Sequence, residues 1–497
     1  MLEVIMLDEN AKRKLLLFKF LIKFSDKKRS INFFENNLDY SYSRVVYLLD
    51  LIQQDLTNLT GEAVQLIQAK GVQYNQNISY DMYYQHLLTN SIPYQLLVSM
   101  LYYPKDNLDK FCEKNFHSKT TVVRRSKLLS DYFKQFNIKM NTTQLRLSGD
   151  ERVIRITFYT LIWSTSQGVN LPEIINNPFN YARVKKVVSP YFPDSSSYSA
   201  HKQIALILDI LYLRVRSGYI LHEKTEIMPY IPINTDQMNA LFNGLITNPQ
   251  TLAAEAEFAS YLLISAPNFF RKNDRRLTLI TDYLKNQPNQ ATKLLKEFCT
   301  VLSEQIMPQD FSWENESILF GNIVNIIFSS AIIKKPFPTL FHLVNRSRYA
   351  NNEYYHQLYS QFKKLFQKIS KRKDFNWLKE SVPQLSDSLA SLLVPVYESF
   401  QLNNVVRVAL IAESNYLLIQ PLTKFIEEIS FVQLVAYKQG AFSSFDFILA
   451  TSAYLIPEES PLPSFVFRFS ADNDKQYIEL YEALKTLHNQ KIISTYS

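Results

Sequence analysis

The chain has 497 residues, 20% of them charged and 46% hydrophobic, which is long enough for several separate cores and too apolar for a disordered polypeptide. Its formal charge of +8 is compatible with an anionic partner without requiring one. With only 8 glycines and neither a GxGxxG nor a GxxxxGKS/T run, the sequence argues against an enzyme built on a Gly-rich phosphate loop.

The two cysteines, Cys112 and Cys299, form no CxxC and no zinc-finger spacing, so reduced thiols and a cytoplasmic compartment are expected, with no metal or other cofactor. Residues 1–150 hold about 20 Lys and Arg against about 15 Asp and Glu, more than half of the whole excess. A sign asymmetry of this kind is the first trait looked for in a nucleic-acid binder.

Residues 9–59 predict helix, helix, turn, helix: Ala11–Phe24, then Ser30–Leu38, then a helix through "YSRVVYLLDLIQQDL". In the third, Val45, Leu48, Leu49, Ile52 and Leu56 lie on one stripe at 3.6 spacing. The run "KRKLLLFKFLIKF" in the first is broken by Lys19 and Lys23 and precedes no small-residue cleavage site, so it is not expected to act as a signal segment. "AVQLIQAKGVQYN" then predicts a two-stranded hairpin turning at Lys-Gly. Helix-turn-helix followed by a hairpin is the order of a winged helix.

The order then repeats. "SIPYQLLVSMLYY" and "NLDKFCEKNF" are helices, "HS" a turn, and "KTTVVRRSKLLSDYFKQF" a long third helix. "NIKMNTTQLRLSG" reads as strand, polar turn, strand. On the third helix Val122, Leu129, Phe133 and Phe136 define the core face. Thr120, Arg124 and Lys127 point the opposite way, with Arg125 beside them. The N-terminal half of a recognition helix reaches base edges in the major groove, where Arg reads guanine and Lys or Thr holds phosphate. An ordinary surface helix also carries a solvated basic face; the tandem winged-helix order is what favours DNA.

The candidate DNA-contacting residues are therefore Ser118, Lys119, Thr120 and Thr121 at the start of that helix, then Arg124, Arg125 and Lys127. Lys139 and Arg146 join them from the wing, and Ser43 and Arg44 from the first unit. The first unit is the weaker reader, because Asp50 on its outward face would repel phosphate.

From Glu151 to about Pro395 the pattern is almost wholly helical. "DERVIRITFYTLIWSTS" opens it, and "YSAHKQIALILDILYLRVRSGYIL" is a long helix with Gly218 as a C-cap. "ILFGNIVNIIFSSAII" holds two Asn and two Ser and is shorter than a membrane span, so a buried helix is expected there and no membrane segment. "NEYYHQLYSQFKKLFQKISK" is a further helix. After about Asn403, strands "VVRVALIAES", "SFVQLVAYKQ", "FDFILATSAYL" and "SFVFRFS" alternate with helices "YLLIQPLTKFIEEI" and "DNDKQYIELYEALKTLHNQ". Such alternation implies a small α/β domain with a largely parallel sheet.

This order resembles the Mga/AtxA-type regulators of Gram-positive bacteria over nearly the whole chain, most specifically in "FHSKTTVVRRSKLLSDYFKQFNIKM" followed by "LRLSGDERVIRITFYTLIW". The resemblance implies a mainly α, multidomain fold. Winged helices would occupy 1–78 and 79–165, PTS-regulation-like helical domains 166–290 and 291–400, and a small EIIB-like α/β domain 401–497. It also implies a DNA-binding transcriptional regulator, virulence-related or carbohydrate-responsive. Such a protein would form a homodimer through its tail, be addressed by PTS phosphocarrier proteins through histidine phosphorylation, and act on double-stranded DNA that is often AT-rich or bent.

The chain departs from the family pattern in two places. Ile210 stands where a phosphorylated His often follows Asp, which leaves His201 as the candidate in the first bundle and His342 and His356 in the second. No cysteine follows the first strand of the tail near residues 412–414, so an interaction role is expected there rather than phosphate transfer. No HExxH, GxSxG or Cys/His arrangement suggests an enzyme. Three alternatives stand beside the regulator: a scaffold whose winged helices bind protein, an RNA-binding antiterminator, and a phosphocarrier acting through the tail.

Overall fold

The computed structural model describes the chain except residues 69–70, 170, 175–197, 222–237, 240–241, 243, 266–268, 270–271, 273, 287, 308–315, 346–348, 350–351, 401–404, 413–414, 470–472 and 497. It is mainly helical, with a small parallel sheet near the C-terminus. The chain forms two compact units, one of residues 1–294, 316–347 and 372–381, the other of 295–315, 348–371 and 382–497. The stretch 291–400 contributes to both.

The first unit begins with a five-residue helix, α1 (Leu2–Met6), which the sequence pattern did not predict. Three helices follow: α2 (Glu9–Lys23), α3 (Ile31–Leu38) and α4 (Tyr42–Thr60). Asp8 caps α2 by accepting from the Ala11 amide at 2.7 Å, which starts that helix two residues before the apolar pattern does. The stripe Val45, Leu48, Leu49, Ile52 and Leu56 is fully buried. Strands β1 (Ile67–Gln68) and β2 (Gly71–Val72) pair antiparallel around the expected turn.

Another unpredicted helix, α5 (Tyr80–Thr89), links this set to the next. That set consists of α6 (Ile92–Tyr102), α7 (Leu108–Asn115) and α8 (Lys119–Lys134), then the hairpin β3 (Lys139–Asn141) and β4 (Arg146–Ser148). The exit helix α9 (Glu151–Ser166) packs against α5, α6 and β4, and against the long helix α10 (Tyr198–Arg216).

A charged network, unusual for a core, joins α9 and α10 to α11 (Pro249–Ser265). Arg155 and Glu255 are both fully buried, with Arg155 Nη2 donating to Glu255 Oε1 at 2.8 Å. Arg155 Nη2 also donates to the Tyr219 carbonyl, and Glu255 Oε1 accepts from the Leu221 amide. Glu151 accepts from Arg155 and Arg214. After α12 (Arg275–Asn286), and after α13 (Gln290–Gln305), most of which belongs to the second unit, the chain forms α14 (Ser317–Ile333), which is buried as expected. Its two asparagines hold backbone groups: Asn322 bonds both the amide and the carbonyl of Phe269, and Asn325 donates to the Ser265 carbonyl. Gly321 lets the Leu277 side chain pack close to α14, since a Cβ there would lie 2.0 Å from Leu277 Cδ1 and that side chain would have to shift. After it come α15 (Leu340–Asn345) and a short 3-10 turn, Lys373–Leu378.

In the second unit α16 (Glu353–Ile369) buries Tyr354, Leu358, Phe362, Phe366 and Ile369 along one stripe and packs on α17 (Val382–Phe400). The tail is a four-stranded, all-parallel sheet of β5 (Val406–Ile411), β6 (Val432–Val435), β7 (Phe447–Ala450) and β8 (Ser464–Val466), in the order β6-β5-β7-β8. Helices α18 (Tyr416–Glu427) and α19 (Asn473–Tyr496) cover one face, where Val406, Val408, Leu422, Ile426, Leu449 and Leu480 meet. Loop residues Phe442 and Phe445 cover the other around Ala409 and Ile448.

Candidate nucleic-acid interface

Ser118 starts α8 as its N-cap: its Oγ accepts from the Thr121 amide at 3.2 Å and donates to Thr121 Oγ1 at 2.8 Å. Both hydroxyls are thereby engaged in holding the helix start. Val122, Ser126, Leu129, Tyr132 and Phe133 point inward, and this fixes the rotation of the helix. The expected core residue Phe136 lies just past the helix end and is half-buried. The opposite side presents Thr120, Val123, Arg124, Lys127 and Leu128 to solvent.

The adjacent arginines part company. Arg124 is exposed and makes no ion pair among the described residues, and the same is true of Lys127. Arg125 turns back: its Nη2 lies 2.8 Å from Asp8 Oδ2. Arg125, expected to flank that face, is half-buried there, and its guanidinium pairs with the residue that caps α2. Lys119 is exposed and bridges to Asp109 at 2.7 Å, which partly neutralises it.

The wing is ordered by its pleat. Met140 pairs with Leu147 on the inner face, so the pairs Lys139–Ser148 and Asn141–Arg146 share the outer one. Lys139 and Arg146 are accordingly both exposed on a single face, and neither has an ion-pair partner among the described residues. The turn is held by Asn141 Oδ1 accepting from the Gln144 amide, and its Thr143 carbonyl accepts from the Leu108 amide at the start of α7. The wing is thus tied to the helix-turn-helix.

In the first unit Ser43 and Arg44 are exposed on the opening turn of α4, and Asp50 is exposed about two turns further along the face of Ser43, as expected. Asp55, deeper on the same helix, anchors Lys14 at 2.6 Å and the Tyr83 hydroxyl at 2.7 Å. Burial would raise its carboxyl, but His86, Lys14 and Tyr83 together hold it below its ordinary value.

The two helix-turn-helix turns are built alike. Asp39 ends α3 and Phe116 ends α7, each at φ 54° and ψ 40°, and in each case the Ser cap of the next helix follows two residues later. Phe116 is 96% exposed and was absent from the residues expected at the site. The sequence signal for it was an aromatic residue in a turn slot that usually goes to Gly, Asn or Asp.

Of the histidine candidates, His201 is half-buried on α10 and His356 is exposed on α16. His342 Nδ1 lies 2.7 Å from Thr339 Oγ1. In the tail, Ala412 follows β5, and the next two residues of the expected phosphate-carrying position, 413–414, lie outside the described residues. No described helix is long and apolar enough to cross a membrane.

Residues 76–162 match the family model of the Mga helix-turn-helix domain. The match runs from just before α5 into α9, so it takes in α6, α7, α8 and the wing. The chain therefore carries a Mga helix-turn-helix domain, which points to DNA as its partner. A search of the curated proteins finds no match.

Proposed function

We propose that this chain is a transcriptional regulator that binds promoter DNA through its second winged helix and acts as a homodimer with no catalytic activity of its own. The observation that carries this is the unpaired basic surface of one matched domain. Arg124 and Lys127 stand on the outer face of α8, and Lys139 and Arg146 on the outer face of the wing. Charges left without partners on a recognition helix and its wing suit a phosphate backbone flanking a major groove. The first helix-turn-helix, with Ser43 and Arg44 outward and Asp50 beside them, adds backbone contacts at most.

The helical middle and the α/β tail carry regulation in this reading. Exposed His356 is the most accessible of the three candidate phosphorylation sites, and His201 and His342 sit closer to packed surfaces. A phosphoryl group would bring about −1.5 to −2 charges to a helix–helix surface and shift its packing, with PTS phosphocarriers as donors. The tail's parallel sheet, flanked on one face by α18 and α19, supports an interaction domain through which two chains associate.

The direct test is titration of the purified chain against an AT-rich duplex at several salt concentrations. Phosphate contacts give a linear fall of log K with log salt, with a slope of roughly −0.9 per contact. Absence of a slope, with binding to protein partners intact, would leave the scaffold reading in its place.

A further inference from the structure

The two turns described above differ in one respect that chemistry does not explain from within the chain. Left-handed backbone suits Gly and is tolerated by Asp and Asn, whose short polar side chains bond locally. For a bulky residue it is an outlier. The first turn follows the rule with Asp39; the second breaks it with Phe116 at identical angles.

Burial could compensate for such a choice, yet Phe116 is 96% exposed. The next residue, His117, turns inward: its Nε2 lies 3.2 Å from Gln95 Oε1 and its ring centre 6.4 Å from that of Phe111. Phe116 stays on the outside of the turn. A residue that breaks two local rules with no gain inside the fold points to a contact outside it.

Its position says what that contact is. The ring stands two residues before the Ser118 cap, next to the first turn of α8. The exposed apolar groups nearest to it on that helix, the Thr120 methyl and Val123 (50% exposed), follow on its outer face among Arg124 and Lys127, with Leu128 a turn further on. An apolar strip framed by uncommitted cations fits duplex DNA better than a protein surface. The major groove offers one apolar group, the C5 methyl of thymine.

We propose that Phe116 is a specificity residue that packs on thymine methyl groups at the edge of the major groove, with Val123 and Thr120 extending the strip. This rests on the DNA-binding reading above and adds to it: the protein distinguishes thymine from a base of identical pairing that lacks the methyl.

The test compares the full chain on two AT-rich duplexes of one sequence, one containing thymine and the other deoxyuridine at every such position. The wild type is expected to bind the thymine duplex about fourfold tighter or more, the factor for taking a single methyl-sized group out of water. Phe116→Asn should weaken that preference by at least half and leave the salt slope unchanged. Because Asn suits left-handed backbone, its thermal midpoint should hold or rise, which excludes unfolding as the cause. Equal wild-type affinity for both duplexes with a normal salt slope overturns the proposal and leaves the DNA reading standing. A preference that falls by less than half in Phe116→Asn also overturns it. No salt-dependent binding to either duplex overturns both.

Discussion

The guanidinium of Arg125 lies 2.8 Å from the carboxylate of Asp8, and this single contact divides the paired arginines of α8 into one that braces the fold and one that faces outward. Asp8 also caps α2, so Arg125 ties the third helix of the second helix-turn-helix to the start of the first. Arg124→Ala should lower DNA affinity and flatten the salt slope by about 0.9, the loss of one phosphate contact. Arg125→Ala should leave the slope alone and lower stability by at most about 1 kcal/mol, since the pair is about one-third exposed. Anisotropy titrations and thermal melts on both variants check this. Arg125→Ala flattening the slope with an unchanged melt would reverse the assignment.

How far the direction of each arginine can be read from the sequence is a matter of range. The rotation of α8 follows from local periodicity, because Val122, Leu129 and Phe133 must be inside. That fixes Thr120, Arg124 and Lys127 outside, as the sequence indicates. Arg125 lies on the flank, and its direction is decided by Asp8, more than a hundred residues earlier, which no periodicity reports. The same limit hid Arg155 and Glu255, which the pattern marks as polar positions and the fold buries completely. Helix α5 was not anticipated, although Tyr80, Tyr83, Tyr84, Leu87 and Leu88 recur at helical spacing and Tyr83, Leu87 and Leu88 are buried. The parallel sheet was legible because its strands are short apolar runs, the first two separated by α18 and the last followed by α19.

The Arg155–Glu255 pair is predicted to be costly to break and cheap to replace. Glu255→Ala leaves a buried guanidinium without its main partner and also strips the Leu221 amide of its acceptor, so a loss of about 3–5 kcal/mol is expected. Arg155→Met together with Glu255→Leu removes both charges and should cost less than Glu255→Ala alone. Urea melts of the single and double variants decide it; a double variant less stable than the single one would mean the pair itself is a net stabiliser.

Asp150 joins the wing to the exit helix and should make this region acid-sensitive. Its Oδ1 caps α9 at the Arg152 amide, and its Oδ2 meets Arg152 Nη2 at 2.7 Å and Lys335 Nζ at 3.0 Å. Burial would raise its carboxyl, but Arg152 and Lys335 hold it down to about 2. The folded value lies below the unfolded one of about 3.9, so the contribution is complete above that pH and is lost as pH falls toward 2. Asp150→Asn should cost about 2 kcal/mol at pH 7 and little at pH 2. An equal cost at both values would show that the charge is not what matters.

His488 should give the second unit a different and higher acid threshold. The ring is 4% exposed on α19, stacked on Phe431 at 4.6 Å and 6.1 Å from Tyr354 of α16, so it packs the tail onto a bundle helix within that unit. Its Nδ1 has no hydrogen-bond partner among the described residues. Burial, and then the charges of Lys485 and Lys491, push its pKa down to about 4. The folded chain thus keeps the imidazole neutral, while the unfolded chain protonates it near pH 6.5. Stability from this group is full above about 6.5 and drains away as pH falls toward 4, by about 3 kcal/mol in all. His488→Leu keeps an apolar side chain against Phe431 and has no proton to gain, so its melting temperature should stay flat across that window while the wild type declines. The window is separate from that of Asp150, so the two acid effects can be read in one pH series. If His488→Leu declines in parallel with the wild type between pH 6.5 and 4, the imidazole does not control the acid response and another group in the unit must be sought.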